Sequence, residues 1–271
     1  MKIITLGPAG SFSHIAARQW LRSEGGDEED IIFLDDIDEL FCMVEEGAGN
    51  GVVPVENSIE GSVGETLDAL LTHDVYVVGE IIIKIHHHLL SMASSLEEID
   101  TVVSHPQALR QCRKSLSQLK KKIITTYSTS QAAKLAAENK GYAALASEEA
   151  ARYYGLNILL RNLEDASENY TRFAVLGKSL PPPSGDDKTS IAIYLKNDRP
   201  GALYDILREF ADRHINLTRI ESRSRKRGLG DYMFFIDFEG YIGDVVVQEI
   251  IEGCRKLTDE IKILGTYQAA H

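Results

Sequence analysis

The chain has 271 residues, 44% of them hydrophobic, enough apolar material to bury a core and too much for a disordered chain. Acidic residues outnumber basic ones by 41 to 29, a net charge of −12, and the one dense basic run, Arg223-Ser224-Arg225-Lys226-Arg227, reads as a solvated turn, so no nucleic-acid partner is expected. No apolar stretch reaches the roughly 20 residues that cross a bilayer, and Cys42, Cys112 and Cys254 are too scattered for a thiolate zinc site or a disulfide framework.

Lys2 to Leu6 is a short β-branched run, too short for a signal-peptide core, and it stops at Gly7-Pro8. Ser13 stands where a helix N-cap belongs, ahead of Ile15 to Leu21. Gly51 to Val55 and Val75 to Ile85 read as strands. Thr101-Val102-Val103 is another, stopping at Ser104-His105-Pro106. Thr129 to Glu138 and Ser147 to Tyr154 carry helical patterns. Strands ending in small polar loops that open helices predict an α/β fold, with ligands bound beyond the strands' carboxyl ends.

Lys178 to Asp187, with three consecutive prolines, cannot continue a helix or a central strand and predicts a linker. Beyond it the pattern changes. Ser190 to Leu195 is a strand, and Ala202 to Arg213 a helix with Leu203, Ile206, Leu207 and Phe210 on one stripe. Strands at Ile215 to Ser222 and Asp231 to Phe238, a helix at Val245 to Leu257 and a strand at Ile261 to Tyr267 complete a β-α-β-β-α-β, ferredoxin-like order.

Four loops collect hydroxyls, amides and exposed backbone. Gly7 to Ser13 can be a plain tight turn or an anion cradle ahead of a helix. In Pro54 to Val63, Asn57, Ser58 and Ser62 can donate to a carboxylate, or the segment can equally be an N-cap with a bend. Ser104 ends a strand, and Gln111 falls about two turns into the helix that follows. Glu168 to Phe173 gathers a hydroxyl, a cation and a ring before the apolar strand Ala174 to Leu176; regular alternation would put Thr171 and Phe173 on one side and Arg172 on the other. His86-His87-His88 is not read as a metal site, because period-2 geometry turns the middle ring away from its neighbours.

Four stretches in this order resemble prephenate dehydratase: Gly-Pro-Ala-Gly-Ser-Phe-Ser (7–13), Val-Glu-Asn-Ser-Ile-Glu-Gly-Ser-Val (55–63), Ser-His-Pro-Gln-Ala-Leu (104–109) and Asn-Tyr-Thr-Arg-Phe (169–173). Asp-Arg-Pro-Gly-Ala-Leu (198–203) and Ile-Glu-Ser-Arg-Ser (220–224) resemble an ACT domain, with Ser224 where a proline is usual. The resemblance implies an α/β catalytic domain over 1–178, similar to a periplasmic binding protein. Its first lobe would span 1–76 and 158–178, its second 77–157, with a linker at 179–187 and a ferredoxin-like ACT domain at 188–271. It implies loss of carbon dioxide and water from prephenate without metal or cofactor, with Thr171 tied to catalysis. The expected substrate-binding set is Asn57, Ser58, Ser104, Gln111, Thr129, Arg172 and Phe173. Phenylalanine would act as feedback effector through Asn197, Pro200, Gly201, Ala202, Leu203, Asn216, Glu221, Ser222 and Arg223 at a subunit interface, in a cytoplasmic homodimer or homotetramer. Two alternatives stay open: dehydration of arogenate, and a non-enzymatic two-lobed sensor.

Overall fold

The computed structural model describes residues 2–195, 199–224 and 232–270. In chain order the elements begin with β1 (Ile3–Leu6), α1 (Phe12–Ser23), β2 (Ile31–Leu34), α2 (Ile37–Glu45), β3 (Asn50–Asn57), β4 (Gly61–Ser62), α3 (Gly64–Thr72) and β5 (Tyr76–Lys84). There follow β6 (His88–Ser91), β7 (Thr101–Ser104), α4 (Pro106–Gln111), α5 (Arg113–Leu119), β8 (Lys122–Thr125), α6 (Thr129–Glu138), β9 (Tyr142–Ala146), α7 (Glu148–Tyr154), β10 (Asn157–Leu160) and β11 (Tyr170–Gly177). The last six are β12 (Asp187–Leu195), α8 (Ala202–Ala211), β13 (Leu217–Ser224), β14 (Tyr232–Glu239), α9 (Val245–Leu257) and β15 (Thr258–Gln268). Packing divides the chain into two compact units: Met1–Leu40, Gly51–Gly64 and Ile81–Phe173 form the first, and Phe41–Asn50, Glu65–Glu80 and Ala174–His271 the second.

In the first unit β1 pairs in parallel with β2, Ile3 opposite Ile31, and β3 lies beside β1. A second sheet has the order β10-β6-β9-β7-β8, with β7 parallel to both its neighbours. Strand β7 is buried on both faces, as its continuous apolar run requires. Alternation sends Val102 into a cluster with Ala108, Cys112 and Leu116, and Val103 into another with Ala132, Ala133 and Ala136. Helix α6 is therefore held by a stripe of alanines that lets it approach the sheet closely. Helix α1 is capped by Ser11, not by Ser13: the Ser11 hydroxyl accepts from His14 N at 3.1 Å, and the helix already begins at Phe12. The hydroxyl immediately before the first helical residue accepts from the N–H three residues on, and Ser13 is already helical. Gly10, at φ +82°, lies against α7, where an added Cβ would come within 2.9 Å of Ala150 Cα.

In the second unit the strand order β13-β14-β12-β15, antiparallel throughout, is the ferredoxin-like sheet, with α8 and α9 packed through Ile206, Phe210, Val247 and Ile250. Helix α8 stops at Ala211, two residues before the expected end. Strand β15 also pairs in parallel with β5, Gly265 opposite Val77. A Cβ on Gly265 would lie 2.0 Å from the Val77 carbonyl oxygen, so only glycine fits. Lys262 Nζ donates to Leu71 O at 3.0 Å and His73 O at 2.7 Å, satisfying carbonyls at the C-terminal end of α3.

Candidate active site

Strand β11 begins at Tyr170, so Thr171, Arg172 and Phe173 lie in regular extended chain and not in a loop. Alternation is thereby enforced. Phe173 is 1% exposed and fills the core, while Arg172 Nε faces Glu56 Oε1 at 2.9 Å. The Arg172 charge is matched by that carboxylate, which reduces the positive potential it lends to its surroundings. Thr171 is half-buried. Ser58 ties the start of β11 to the end of β3: its N–H donates to Tyr170 O at 2.8 Å, and its hydroxyl accepts from Tyr170 N at 3.0 Å.

Asn57 sits at the centre of this junction. Its Oδ1 accepts from Ile59 N at 3.0 Å and from Glu60 N at 3.1 Å. Its Nδ2 donates toward Asn169 Oδ1 (2.8 Å), Thr171 Oγ1 (3.0 Å) and Tyr170 O (3.1 Å). Backbone N–H and C=O groups cannot exchange roles, so these contacts set which end of the amide is oxygen. The consequence propagates. Asn169, fully buried, must turn its oxygen to Asn57, so its Nδ2 donates to Gln111 Oε1 at 2.9 Å. Gln111 Oε1 is then an acceptor, and the His87 Nε2 that faces it at 3.2 Å must carry the proton. The relay runs Thr171, Asn57, Asn169, Gln111, His87, each bond with a definite direction.

Two donors are left over. Thr171 Oγ1 accepts from Asn57, and its own proton has no acceptor among the described residues, so it is available to a ligand. A hydroxyl that accepts one hydrogen bond is a stronger donor of the next. The Gln111 amide nitrogen is buried and has no partner among the described residues. Each of these two groups thus keeps a donor without a protein acceptor among the described residues, a polarity that suits anionic or carbonyl oxygens.

Ser104 and Thr129 have contacts of their own. Ser104 is fully buried and donates to Leu145 O at 2.6 Å, a bond that joins β7 to β9. His105 caps α4, its Nδ1 accepting from Gln107 N at 3.2 Å. Gln111 is the last residue of that helix. Thr129 is the first residue of α6, behind the N-cap Ser128. No hydrogen bond among the described residues ties Ser104 or Thr129 to the relay. Asn169 and His87 are the members that sequence reading gave no role: Asn169 stood inside a quoted motif, and His87 was weighed only as a metal ligand. His86 and His88 stack with centroids 6.4 Å apart, while His87 meets Phe12 and Gln111. His86 Nδ1 meets Glu164 Oε1 at 2.6 Å, an acidic partner 78 residues distant in sequence. Burial holds the His87 pKa below the ordinary histidine value, so the ring is neutral at pH 7.

Residues 3–180 match the family model described as prephenate dehydratase, and residues 189–255 match the ACT domain. A prephenate dehydratase of Methanocaldococcus jannaschii is 43% identical over 96% of this chain and 95% of its own length. The chain belongs to the prephenate dehydratase family. A prephenate dehydratase from Arthrobacter aurescens, solved in complex with L-Phe, superposes with a TM-score of 0.90 at 31% identity, covering 100% of this chain and 90% of that one. A structure titled GqqA, a quorum-quenching acylase, gives 0.89 at 29% identity, covering 100% and 98%. The architecture is that of the prephenate dehydratases, with a C-terminal ACT domain.

Within the ACT domain, Gly201 (φ +86°) is the N-cap of α8 and is exposed, as is Pro200, while Ala202 and Leu203 form the first turn. Asn216 Nδ2 donates to Glu239 Oε1 at 2.9 Å, and Glu221 pairs with Arg219. Ser222 is exposed, and Arg223 meets Asp68 of α3 at 3.0 Å. Asn197 lies outside the described residues, as do 225–231, which carry the rest of the basic run.

Proposed function

We propose that this chain converts prephenate to phenylpyruvate, with carbon dioxide and water as co-products, and that L-phenylalanine inhibits it through the ACT domain. The observation that carries the reading is the 3.0 Å bond from Asn57 Nδ2 to Thr171 Oγ1, which makes that oxygen an acceptor and supports its proton as the donor to a ligand. Prephenate loses the carboxylate on its quaternary ring carbon and the ring hydroxyl opposite. The electron pair of the C–CO₂ bond enters the ring, the C–O bond breaks, and aromatisation drives both. The departing hydroxide needs a proton, and Thr171 supplies a hydrogen bond to it where charge develops. A threonine hydroxyl is a weak acid, so its part is stabilisation of the leaving oxygen, with solvent completing the proton balance. The Gln111 N–H pair meets an acceptor oxygen elsewhere on the dianion and fixes its pose, worth several kcal/mol of barrier through orientation.

The catalytic domain is taken as 1–178, with lobes 1–76 plus 158–178 and 77–157, and the ACT domain as 188–271. The effector would sit at Pro200 to Leu203 with Asn216 and Glu221 to Arg223, its carboxylate on the free N–H groups at the start of α8, in a homodimer or homotetramer. An acylase chemistry fits this relay less well. Acyl transfer calls for a nucleophile activated by a base, whereas the Nε2 of the relay's histidine, His87, donates to an amide oxygen.

Thr171→Val keeps the side-chain shape and removes the hydroxyl. Phenylpyruvate formation should fall by about 100-fold or more while the circular dichroism spectrum is unchanged. Near-normal turnover would remove Thr171 from the reaction. Turnover of arogenate in parallel, with and without phenylalanine, decides between the two ring substrates.

A further inference from the structure

The relay ends on a side chain that the reaction scheme leaves idle. His87 is 3% exposed, in the short connection between β5 and β6, and Phe12 packs edge-on against it with ring centroids 5.7 Å apart. Neither ring nitrogen reaches solvent. Nε2 faces the Gln111 oxygen, and Nδ1 has no hydrogen-bond partner among the described residues. A buried polar ring held in this way raises the question of what its proton does.

We infer that His87 is a positioning residue for substrate binding: as the neutral, Nε2-protonated ring it anchors the Gln111 oxygen, so that the Gln111 amide presents its two N–H donors to an acceptor oxygen of a bound carboxylate or keto acid. The inference rests on the proposed dehydratase reading for the identity of that ligand, but not for the tautomer.

Three observations support it. Gln111 is 8% exposed, and its Nε2 is buried without a partner among the described residues. A desolvated amide donor in that state is costly unless a ligand completes it. Its oxygen is doubly engaged, by Asn169 Nδ2 at 2.9 Å and His87 Nε2 at 3.2 Å. Rotating the carboxamide by half a turn would set an N–H pair against two donors, so the rotation is blocked from both sides. The direction of the whole relay is set by the Ile59 and Glu60 N–H groups at its far end. His87 closes it as the final donor. An amide whose oxygen is pinned inward discriminates by polarity, since it can meet acceptor oxygens and not another donor.

The tautomer is tested directly by ¹⁵N NMR of histidine-labelled protein, with the His87 signal identified as the one missing from His87→Gln. An Nε2-protonated neutral ring is expected at pH 7; an Nδ1-protonated or charged ring overturns the inference. The kinetic arm uses three variants. His87→Leu should raise KM for prephenate about tenfold with kcat changed much less. His87→Gln, whose amide nitrogen reaches the Nε2 position, should recover most of that loss. In a Gln111→Leu background, His87→Leu should add nothing, because its effect passes through Gln111. An unchanged KM, or a loss that adds fully to that of Gln111→Leu, overturns the positioning role. Should His87→Leu not fold, the tautomer and the His87→Gln kinetics decide. Wild-type protein inert on prephenate would sink the dehydratase reading and leave the NMR result to judge the histidine.

Discussion

Replacing Asn57 by alanine should weaken both the fold and the reaction, by amounts that follow from the two bonds its Oδ1 accepts and the two Nδ2 protons shared among three acceptors. The two that Oδ1 accepts come from Ile59 and Glu60, both exposed, so water can replace them at little cost. The Nδ2 bonds are different. Asn169 is fully buried, and its oxygen would lose its donor; a buried acceptor left unmade costs about 1–3 kcal/mol. With the lost contact to Tyr170 O, the expected loss of stability is about 2–4 kcal/mol. Turnover suffers separately. Thr171 loses the donor that orients and polarises its hydroxyl, worth about 1–3 kcal/mol of barrier, or roughly 5–150-fold in kcat. Urea unfolding measures the first effect, and phenylpyruvate formation under conditions where the variant is folded measures the second. The decisive comparison is Asn57→Ala combined with Thr171→Val. If Asn57 acts through the Thr171 hydroxyl, the double variant turns over no more slowly than Thr171→Val alone. Kinetic losses that simply multiply would refute the coupling on which the mechanism stands.

Three further outcomes are expected. Gly201→Val forces a β-branched residue to φ +86° at the start of α8 and should abolish inhibition by phenylalanine while leaving basal turnover intact; undiminished inhibition in a steady-state assay would reject that effector site. Burial lowers the pKa values of His14, His87, His88 and His105 below the ordinary 6.5, so the unfolded chain takes up protons first as pH falls. These rings should therefore leave stability unchanged just above that value and lower it below, and a urea midpoint that stayed flat from pH 7 to pH 5 would contradict these burials. Gly265→Ala places a methyl group 2.0 Å from Val77 O, so the β15–β5 pairing must shift; a loss on the order of 3 kcal/mol in thermal unfolding is expected, and a neutral substitution would show that the two strands are not so close.

Much of the fold is legible from short-range pattern. The helix at Val245–Leu257 falls where its periodicity places it, and so does Thr129–Glu138. The prolines at 181–183 do interrupt regular structure between β11 and β12. The errors lie where competing local signals had to be ranked. Two serines two residues apart, Ser11 and Ser13, could each cap α1, and only the position of the His14 N–H chooses between them. Ser104 carries a hydroxyl at a strand end where a cap is plausible, yet His105 caps α4 and the Ser104 proton goes to Leu145 O across the sheet. Thr171 to Phe173 reads equally as loop or strand until β3 and β5 flank it, after which alternation sends Arg172 to Glu56.

The sequence by itself placed β1, α1, β3, β5, β7, α6, α7 and the elements of the C-terminal domain, where the pattern changes after the prolines, and it showed that hydroxyls and amides gather at four strand ends. Those are properties of neighbours a few residues apart: side-chain period, backbone stiffness and the missing N–H of proline. Only the tertiary structure decided what the polar groups do. The relay joins residues 112, 58 and 24 positions apart, and the roles in it are inherited one from the next, from backbone N–H groups at Ile59 and Glu60 to the ring of His87. An amide read alone has two interchangeable ends. Its direction exists only once packing sets a group of known polarity against one of them.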